Sequence, residues 1–333
     1  MTPAVEPLLR VEGLGMKYPM GGGWLSRRRV VHALDAVTLS LDAGETLAVV
    51  GESGCGKSTL GKCILRLVEP TSGQVYLDGE LFSGPGITAP RHLRQKMQVV
   101  FQDPYASLNP RRTIFQTVAD PLRQAGIGPR GELRRRVSET LAQVGLGAEF
   151  MDRHPHELSG GQRQRVAIAR AIVLRPKLVV CDEPISSLDS SIQAQVINLL
   201  RRLQRELGIA YLFITHDLRL VPRIADRVIV MYLGQVVEQG PASLLEQRRL
   251  HPYSQALFAA TPQADPEAAR VARVVLEGEV PSPIDPPPGC RFHTRCPVRQ
   301  PVCSQEAPQL REVAGRWVRC HFAESFAIEQ PTP

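Results

Sequence analysis

The run Gly51-Glu52-Ser53-Gly54-Cys55-Gly56-Lys57-Ser58-Thr59 fits the spacing G-x-x-x-x-G-K-[ST]. Glycines at those steps let backbone N–H groups wrap an anion, and a helix starting at the lysine adds its dipole. Lys57 can then reach the β and γ phosphates of a nucleotide, and Ser58 offers an oxygen to Mg²⁺. Further along, the apolar run Leu178-Val179-Val180-Cys181 delivers two carboxylates, Asp182 and Glu183, to its end. Between them, Leu158-Ser159-Gly160-Gly161-Gln162 reads as a small-residue turn opening a helix, a second anion site.

These residues need rigid elements behind them. Residues 36–51 alternate and then turn continuously apolar. That pattern suits an outer strand, a turn at Ala43-Gly44 and a buried strand ending at Gly51. From Lys57 to Leu67 the apolar residues Leu60, Ile64 and Leu67 share one helical face, and Pro70 to Gly73 break the pattern. A polar loop, DPYASLNPRR, leads into helical segments from about Thr113 to Val144, and strand patterning resumes at Lys177–Asp182. Two more apolar strands, Ala210–Thr215 and Arg227–Leu233, each follow a helical run. The alternation predicts an α/β fold with a largely parallel sheet and a helical subdomain inserted over about 103–176.

Length and composition are those of an ordinary globular protein, with 333 residues of which 43% are hydrophobic. No apolar run approaches the roughly 18 residues of a spanning helix. The N-terminal residues carry no cationic segment followed by an apolar one, so no secretory signal is expected and the cytoplasm is the default compartment. The formal charge of +7 is mostly arginine scattered in small groups such as Arg27–Arg29 and Arg134–Arg136. That reads as a solvated surface, not a nucleic-acid stripe. Near Thr261-Pro262 the periodicity gives way to a linker, which divides the chain into residues 1–262 and a tail, 263–333. Three cysteines (Cys55, Cys63, Cys181) lie inside the motifs and read as shielded thiols, whereas Cys290, Cys296, Cys303 and Cys320 cluster in the tail.

A P-loop followed by LSGGQ and then by an acidic strand end resembles the nucleotide-binding subunits of ATP-binding cassette (ABC) transporters over roughly the first 260 residues. The resemblance implies a P-loop NTPase fold of ABC type and ATP hydrolysis with Mg²⁺. It implies that Asp182 holds Mg²⁺ and that Glu183 polarises the attacking water. Gln102, after Val99-Val100-Phe101, matches the Q-loop that senses Mg²⁺ and that water. His216 matches the switch histidine, and Ser187-Leu188-Asp189 matches the D-loop, where Asp189 organises a dimer interface. Tyr18 resembles the aromatic that stacks on adenine; an ordinary packed tyrosine is the alternative. Ser159, Gly160, Gly161 and Gln162 would face the ATP held by a partner's P-loop, so hydrolysis should need a dimer.

The tail narrows the resemblance. PPPGCRFHTRCP, followed by Cys303, Pro308-Gln309-Leu310 and Arg319-Cys320-His321, looks like the C-terminal extension of the dipeptide, oligopeptide and nickel importer ATPases. The resemblance implies a [4Fe-4S] cluster on Cys290, Cys296, Cys303 and Cys320. The spacing C-x5-C-x6-C-x16-C supplies four thiolates but lacks short C-x2-C steps, so zinc, with His293 and His321 as alternative ligands, and unliganded thiols stay open. The implied partners are a second, related ATPase subunit, two transmembrane permease subunits and a periplasmic or extracellular binding protein, with this chain on the cytoplasmic face of the membrane and no nucleic acid bound. The implied cargo is a dipeptide or short peptide; nickel, a metallophore or longer oligopeptides are alternatives. ABC ATPases acting on DNA or the ribosome resemble a cassette split by a coiled coil or two cassettes in one chain, and neither heptads nor a second P-loop appears. A third rival is an iron-sulfur regulatory protein whose ATPase serves redox sensing.

Overall fold

The computed structural model describes residues 6–21, 29–103, 107–186, 188–260 and 278–327. The expected Ser187 of the D-loop, residues 104–106 of the polar loop, the stretch 22–28 after Tyr18 and the division near residue 262 lie outside the described residues.

The chain opens with β1 (Leu9–Met20) and β2 (Arg29–Leu41), then β3 (Thr46–Val50), whose five residues are all buried. Helix α1 (Lys57–Ile64) follows the glycine loop directly. The expected helix to Leu67 stops short, because Arg66 takes a positive φ of 52° and the N–H of Leu67 closes back on the Lys62 carbonyl at 2.9 Å. Leu67 consequently faces solvent. Next come β4 (Ser72–Leu77), β5 (Glu80–Ser83), α2 (Arg91–Lys96) and β6 (Met97–Val100). Helices α3 (Ile114–Gln124), α4 (Arg130–Gln143) and α5 (Gly160–Ile172) then intervene before β7 (Leu178–Asp182). The remainder is α6 (Ser190–Leu207), β8 (Ala210–Ile214), α7 (Val221–Ile224), β9 (Arg227–Tyr232), β10 (Gln235–Pro241), α8 (Ala242–Gln247) and α9 (Pro252–Ala259), then α10 (Pro301–Gln305), β11 (Arg311–Val313) and β12 (Arg316–Val318).

Two sheets result. An antiparallel sheet has the order β2-β1-β4-β5, and a second runs β11-β12-β10-β9-β3-β8-β7-β6. Within the larger sheet β9, β3, β8, β7 and β6 are parallel. Such strands are covered on both faces, which is why they read as unbroken apolar runs. Their C-terminal ends carry the glycine loop after β3, Asp182 at β7 and Thr215-His216 after β8, the edge where open α/β sheets present ligand sites. One apolar core joins α3, α4 and α5 to α6 and to one face of β7 and β8; another lies between the two sheets around α1.

The tail does not stand apart from this sheet. Strand β12 pairs antiparallel with β10 at Glu238↔Val318 and Gln239↔Trp317, and the N–H of Arg319 donates to the Val237 carbonyl at 2.8 Å. Beneath it Phe292 is buried, with ring centroids 5.3 Å from Tyr232 and 5.4 Å from Tyr253. Truncating a buried Phe to Ala commonly costs about 3–5 kcal/mol. Phe292→Ala is expected to lie in that range by urea unfolding, with the loss felt in the whole cassette; a value under about 1 kcal/mol would mean that the tail is not packed onto it.

Candidate ATP site

The glycine loop is shaped by clashes that only glycine avoids. At Gly51 (φ 151°) a Cβ would stand 2.3 Å from the Met231 carbonyl oxygen, and at Gly56 (φ 107°) 2.5 Å from that of Ala33. The loop is therefore pressed against β9 and β2, in the close backbone packing that only glycine permits. Lys57 is buried and folds over the loop, its Nζ donating to the carbonyls of Gly51 at 2.8 Å and Glu52 at 3.0 Å. Ser53, Gly54 and Thr59 complete the turn and first helical residues. Cys55 is buried beneath the loop, and burial pushes its thiol up, as it does for Cys63, to about 11, and for Cys181. All three are shielded, unreactive thiols.

Ser58 Oγ donates to Asp182 Oδ1 at 3.0 Å, which brings together two hard oxygens of the kind Mg²⁺ prefers. Burial raises the Asp182 carboxyl, and a bound cation would oppose that shift. The residues present therefore fit a magnesium nucleotide. One residue on, Glu183 has a positive φ of 49°, an uncommon conformation for a non-glycine residue, held by its N–H donating to the Ile214 carbonyl at 2.9 Å. Its Oε1 lies 3.0 Å from His216 Nδ1. Gln102 and Asp182 line one cleft of about 550 Å³, together with Lys62, Gln98 and Arg170.

Not every expected residue joins this group. Ser159 caps α5: its Oγ accepts the N–H of Gln162 at 3.3 Å, while Gln162 Oε1 accepts the N–H of Ser159 at 2.9 Å. Gly160 and Gly161 form the first turn of α5, with Leu188 and Ile192 closest to their missing side chains. Among the described residues no hydrogen bond links Ser159 or Gln162 to the glycine loop. Asp189 is exposed at the start of α6, and Tyr18 is half-buried on β1 against the inter-sheet core.

The tail cysteines converge. Cys290, Cys296, Cys303 and Cys320, with Phe292 and His251, line one apolar pocket, and none is in a disulfide. Burial, reinforced by the neighbouring thiols, pushes Cys290 and Cys320 up to about 11. Their donor chemistry suits a cluster or a soft metal. Their side-chain positions do not gather around one ion, since among the described residues no three His, Cys, Asp or Glu groups are placed to hold one, and the free space amounts to about 10 Å³. His293 and His321 line the same pocket, with His293 Nδ1 on the Cys290 carbonyl and His321 Nε2 on that of Glu306.

Two family descriptions match the chain: "ABC transporter" over residues 34–186, and "Oligopeptide/dipeptide transporter, C-terminal region" over residues 237–303. It is 47% identical to the dipeptide transport ATP-binding protein DppF of Escherichia coli, over 98% of this chain and 96% of that one. The chain belongs to the ABC transporter ATP-binding proteins of the oligopeptide/dipeptide type. Another ATP-binding protein of this type, the di/tripeptide transport protein DppF of Pseudomonas aeruginosa, is 47% identical over 97% of this chain and 99% of that one. The same ABC fold appears in the solved structure of cbiO1 from Clostridium perfringens, part of the cbiONQ transporter complex (TM-score 0.61, 32% identity, 72% of this chain and 91% of that one). It appears also in the ATP-binding cassette MJ0796, solved as a dimer bound to ADP and Pi (TM-score 0.61, 31% identity, 70% of this chain and 98% of that one). As an ABC ATP-binding protein, this chain is an ATPase that uses Mg²⁺.

Sequence reasoning missed the residues that stiffen the site from outside it. Asp217 takes a two-pronged contact from Arg219, at 2.9 and 2.7 Å, and its N–H donates to Thr215 Oγ1, which shapes the turn carrying His216. The Arg219 hydrogen bonds hold the Asp217 carboxyl below its ordinary range. A carboxylate with a depressed folded pKa contributes stability above its unfolded value near 3.9, and that contribution fades as pH falls through the folded value. Because Arg219 is largely exposed, solvent limits the contribution to about 1 kcal/mol or less. Asp217→Asn is expected to lower stability slightly at pH 7 and to flatten the loss below about pH 4; unchanged acid unfolding would show that the pair contributes nothing.

Proposed function

We propose that this chain powers import of dipeptides and other short peptides, as one ATPase subunit of a membrane transporter. The observation that carries the reading is the meeting of the glycine loop, Asp182, Glu183 and His216 at one sheet edge, on a chain whose tail is of the oligopeptide/dipeptide type. Relatives are named for dipeptides, di/tripeptides and oligopeptides, which favours peptide over nickel or metallophore cargo and over the DNA, ribosome and redox-sensing rivals.

In this reading the loop from Gly51 to Thr59 binds the phosphates through backbone N–H groups other than that of Glu52, which Tyr253 holds, and Lys57 exchanges its loop carbonyls for the β and γ phosphate oxygens. Ser58, Asp182 and Gln102 supply oxygens for Mg²⁺, which neutralises charge on the phosphates when bound. Glu183 accepts a hydrogen bond from the attacking water and aims it in line at the γ phosphorus, and His216 holds the Glu183 carboxylate in that direction. Tyr18 stacks on adenine. Ser159, Gly160, Gly161 and Gln162, distant in hydrogen bonding from this chain's own loop, present the α5 N-terminus to nucleotide held by a partner ATPase, with Asp189 at the same interface. That partner is a related second subunit, and the rest of the machine is two permeases and a binding protein. Helices α3 to α5 form the inserted subdomain within residues 103–176, and Gln102–Asn109 contact the permeases on the cytoplasmic face. Among the described residues no helix is long and apolar enough to cross a membrane, so attachment is peripheral in this reading.

Residues 263–333 form the tail extension, and its four cysteines hold a [4Fe-4S] cluster of structural role. Support comes from four unpaired thiols on one apolar pocket; loading requires them to turn inward and open it.

Glu183→Gln is expected to abolish dipeptide uptake by the reconstituted transporter, lower ATP turnover at least about 100-fold, and leave ATP bound in a stable dimer. Normal turnover would remove Glu183 from its role, and ATP hydrolysis without peptide uptake by the unaltered protein would overturn the cargo. Anaerobically purified protein is expected to contain about four iron and four acid-labile sulfide per chain, both lost in Cys303→Ser; zinc or no metal would overturn the cluster.

A further inference from the structure

Arg295 lies in the tail, one residue before Cys296, yet its side chain ends at the glycine loop. Its guanidinium is almost fully buried and meets the Glu52 carboxylate with both arms, Nη1 to Oε2 at 2.9 Å and Nη2 to Oε1 at 3.2 Å. Among the described residues Glu52 is its only carboxylate partner. A more distant contact, 3.5 Å, reaches the Tyr232 hydroxyl. Glu52 is fastened at two further atoms: its N–H donates to Tyr253 Oη at 2.8 Å, and its carbonyl accepts Lys57 Nζ. Tyr253 is wholly buried and packs on Tyr232 and Phe292. The second residue of the loop is thus held by the tail and by α9, elements more than 200 residues away in sequence.

The charge at this place demands an explanation. Glu52 puts a carboxylate in a loop whose task, on the reading given under Proposed function, is to hold a polyanion. Unopposed, that carboxylate would repel the phosphates and pull the loop toward solvent. A buried two-armed guanidinium both cancels the charge and fixes the direction of the side chain. Arg295 is also set firmly from its own side, since its N–H closes a turn on the Phe292 carbonyl at 3.0 Å and Phe292 is locked among Tyr232, Tyr253 and His251.

We infer that Arg295 is a positioning residue for ATP binding: by neutralising and anchoring Glu52, the cysteine-bearing tail sets the affinity of the glycine loop for the nucleotide. The pair then makes opposite demands on the two partners. Loss of the arginine leaves a bare carboxylate beside the phosphates, loss of the glutamate leaves a bare cation there, and loss of both restores neutrality.

The test is the dissociation constant of a fluorescent ATP analogue with Mg²⁺, measured on the full-length chain. Arg295→Gln is expected to bind about tenfold more weakly than the unaltered protein and Glu52→Gln a few-fold more tightly, with the double variant within about threefold of the unaltered protein. A role confined to packing predicts no such rescue, because the double variant has lost the same contacts. Arg295→Gln binding as the unaltered protein does, or the double variant binding as weakly as Arg295→Gln, would overturn the inference. Should Arg295→Gln fail to give a cooperative thermal melt, Glu52→Gln decides alone, and no tighter binding in that variant overturns it. Lys57→Ala separates the two readings: binding that survives it would mean that the loop is not the phosphate site.

Discussion

A loop turned at three glycines, Gly51, Gly54 and Gly56, cannot hold its own shape unaided, and much of this structure is arranged to hold it. Gly51 and Gly56 accept backbone angles and close contacts that other residues refuse, which lets the loop press on Met231 and Ala33. The same freedom makes the loop costly to order. Order comes from Lys57 bridging two loop carbonyls, from Tyr253 taking the Glu52 N–H, and from Arg295 taking the Glu52 carboxylate. On the proposed reading Lys57 must give up these carbonyls when phosphate arrives, whereas the holds of Tyr253 and Arg295 on Glu52 can persist and keep the loop preorganised.

That arrangement gives the C-terminal segment a physical place in the molecule. It extends the main sheet through β12 and seals an interface that is partly polar. Glu238 is fully buried there; burial raises its carboxyl, and the N–H groups of Leu250 and His251 satisfy its oxygens at 2.8 and 3.0 Å. Arg316 is buried nearby, 3.8 Å from Glu238, with its guanidinium on the Leu244 and Arg248 carbonyls. His251, which burial pushes down to about 3, stays neutral and uses Nδ1 to accept the Tyr253 N–H. Groups of this kind add little net stability, but Arg316 reaches the Leu244 and Arg248 carbonyls and Glu238 only when the tail is docked in one register. The apolar stack of Phe292, Tyr232 and Tyr253 supplies the burial that such a small segment could not gather alone.

The placement of the two glycine-bearing turns is equally directional. The glycine loop, Ser58, Asp182, Glu183 and His216 meet at the C-terminal edge of the parallel strands, and hydrogen bonds tie several of them together. The turn at Ser159 instead bonds to itself through its capping box, on a helix rooted in a different core. On the proposed reading one chain therefore carries most of a catalytic edge and a separate helix N-terminus, an arrangement that suits pairing two cassettes.

The sequence by itself determined the elements and the chemistry they carry. The strands β3, β7, β8 and β9 were legible because burial on both faces demands unbroken apolar runs, and the ATPase family because phosphate and Mg²⁺ chemistry demand particular groups at fixed local spacing. The end of α1 was misread, since a left-handed turn at Arg66 leaves no mark in an apolar pattern that continues to Leu67. Tertiary structure alone decided what holds these parts. Nothing in the spacing of Glu52, Tyr253 and Arg295 indicates that they meet, nor that β12 would complete a sheet begun near the N-terminus. Local patterns report whether a residue is buried and with what period; they do not name the distant partner, because pairings across hundreds of residues are selected by the shape and charge left exposed once the nearer elements have packed.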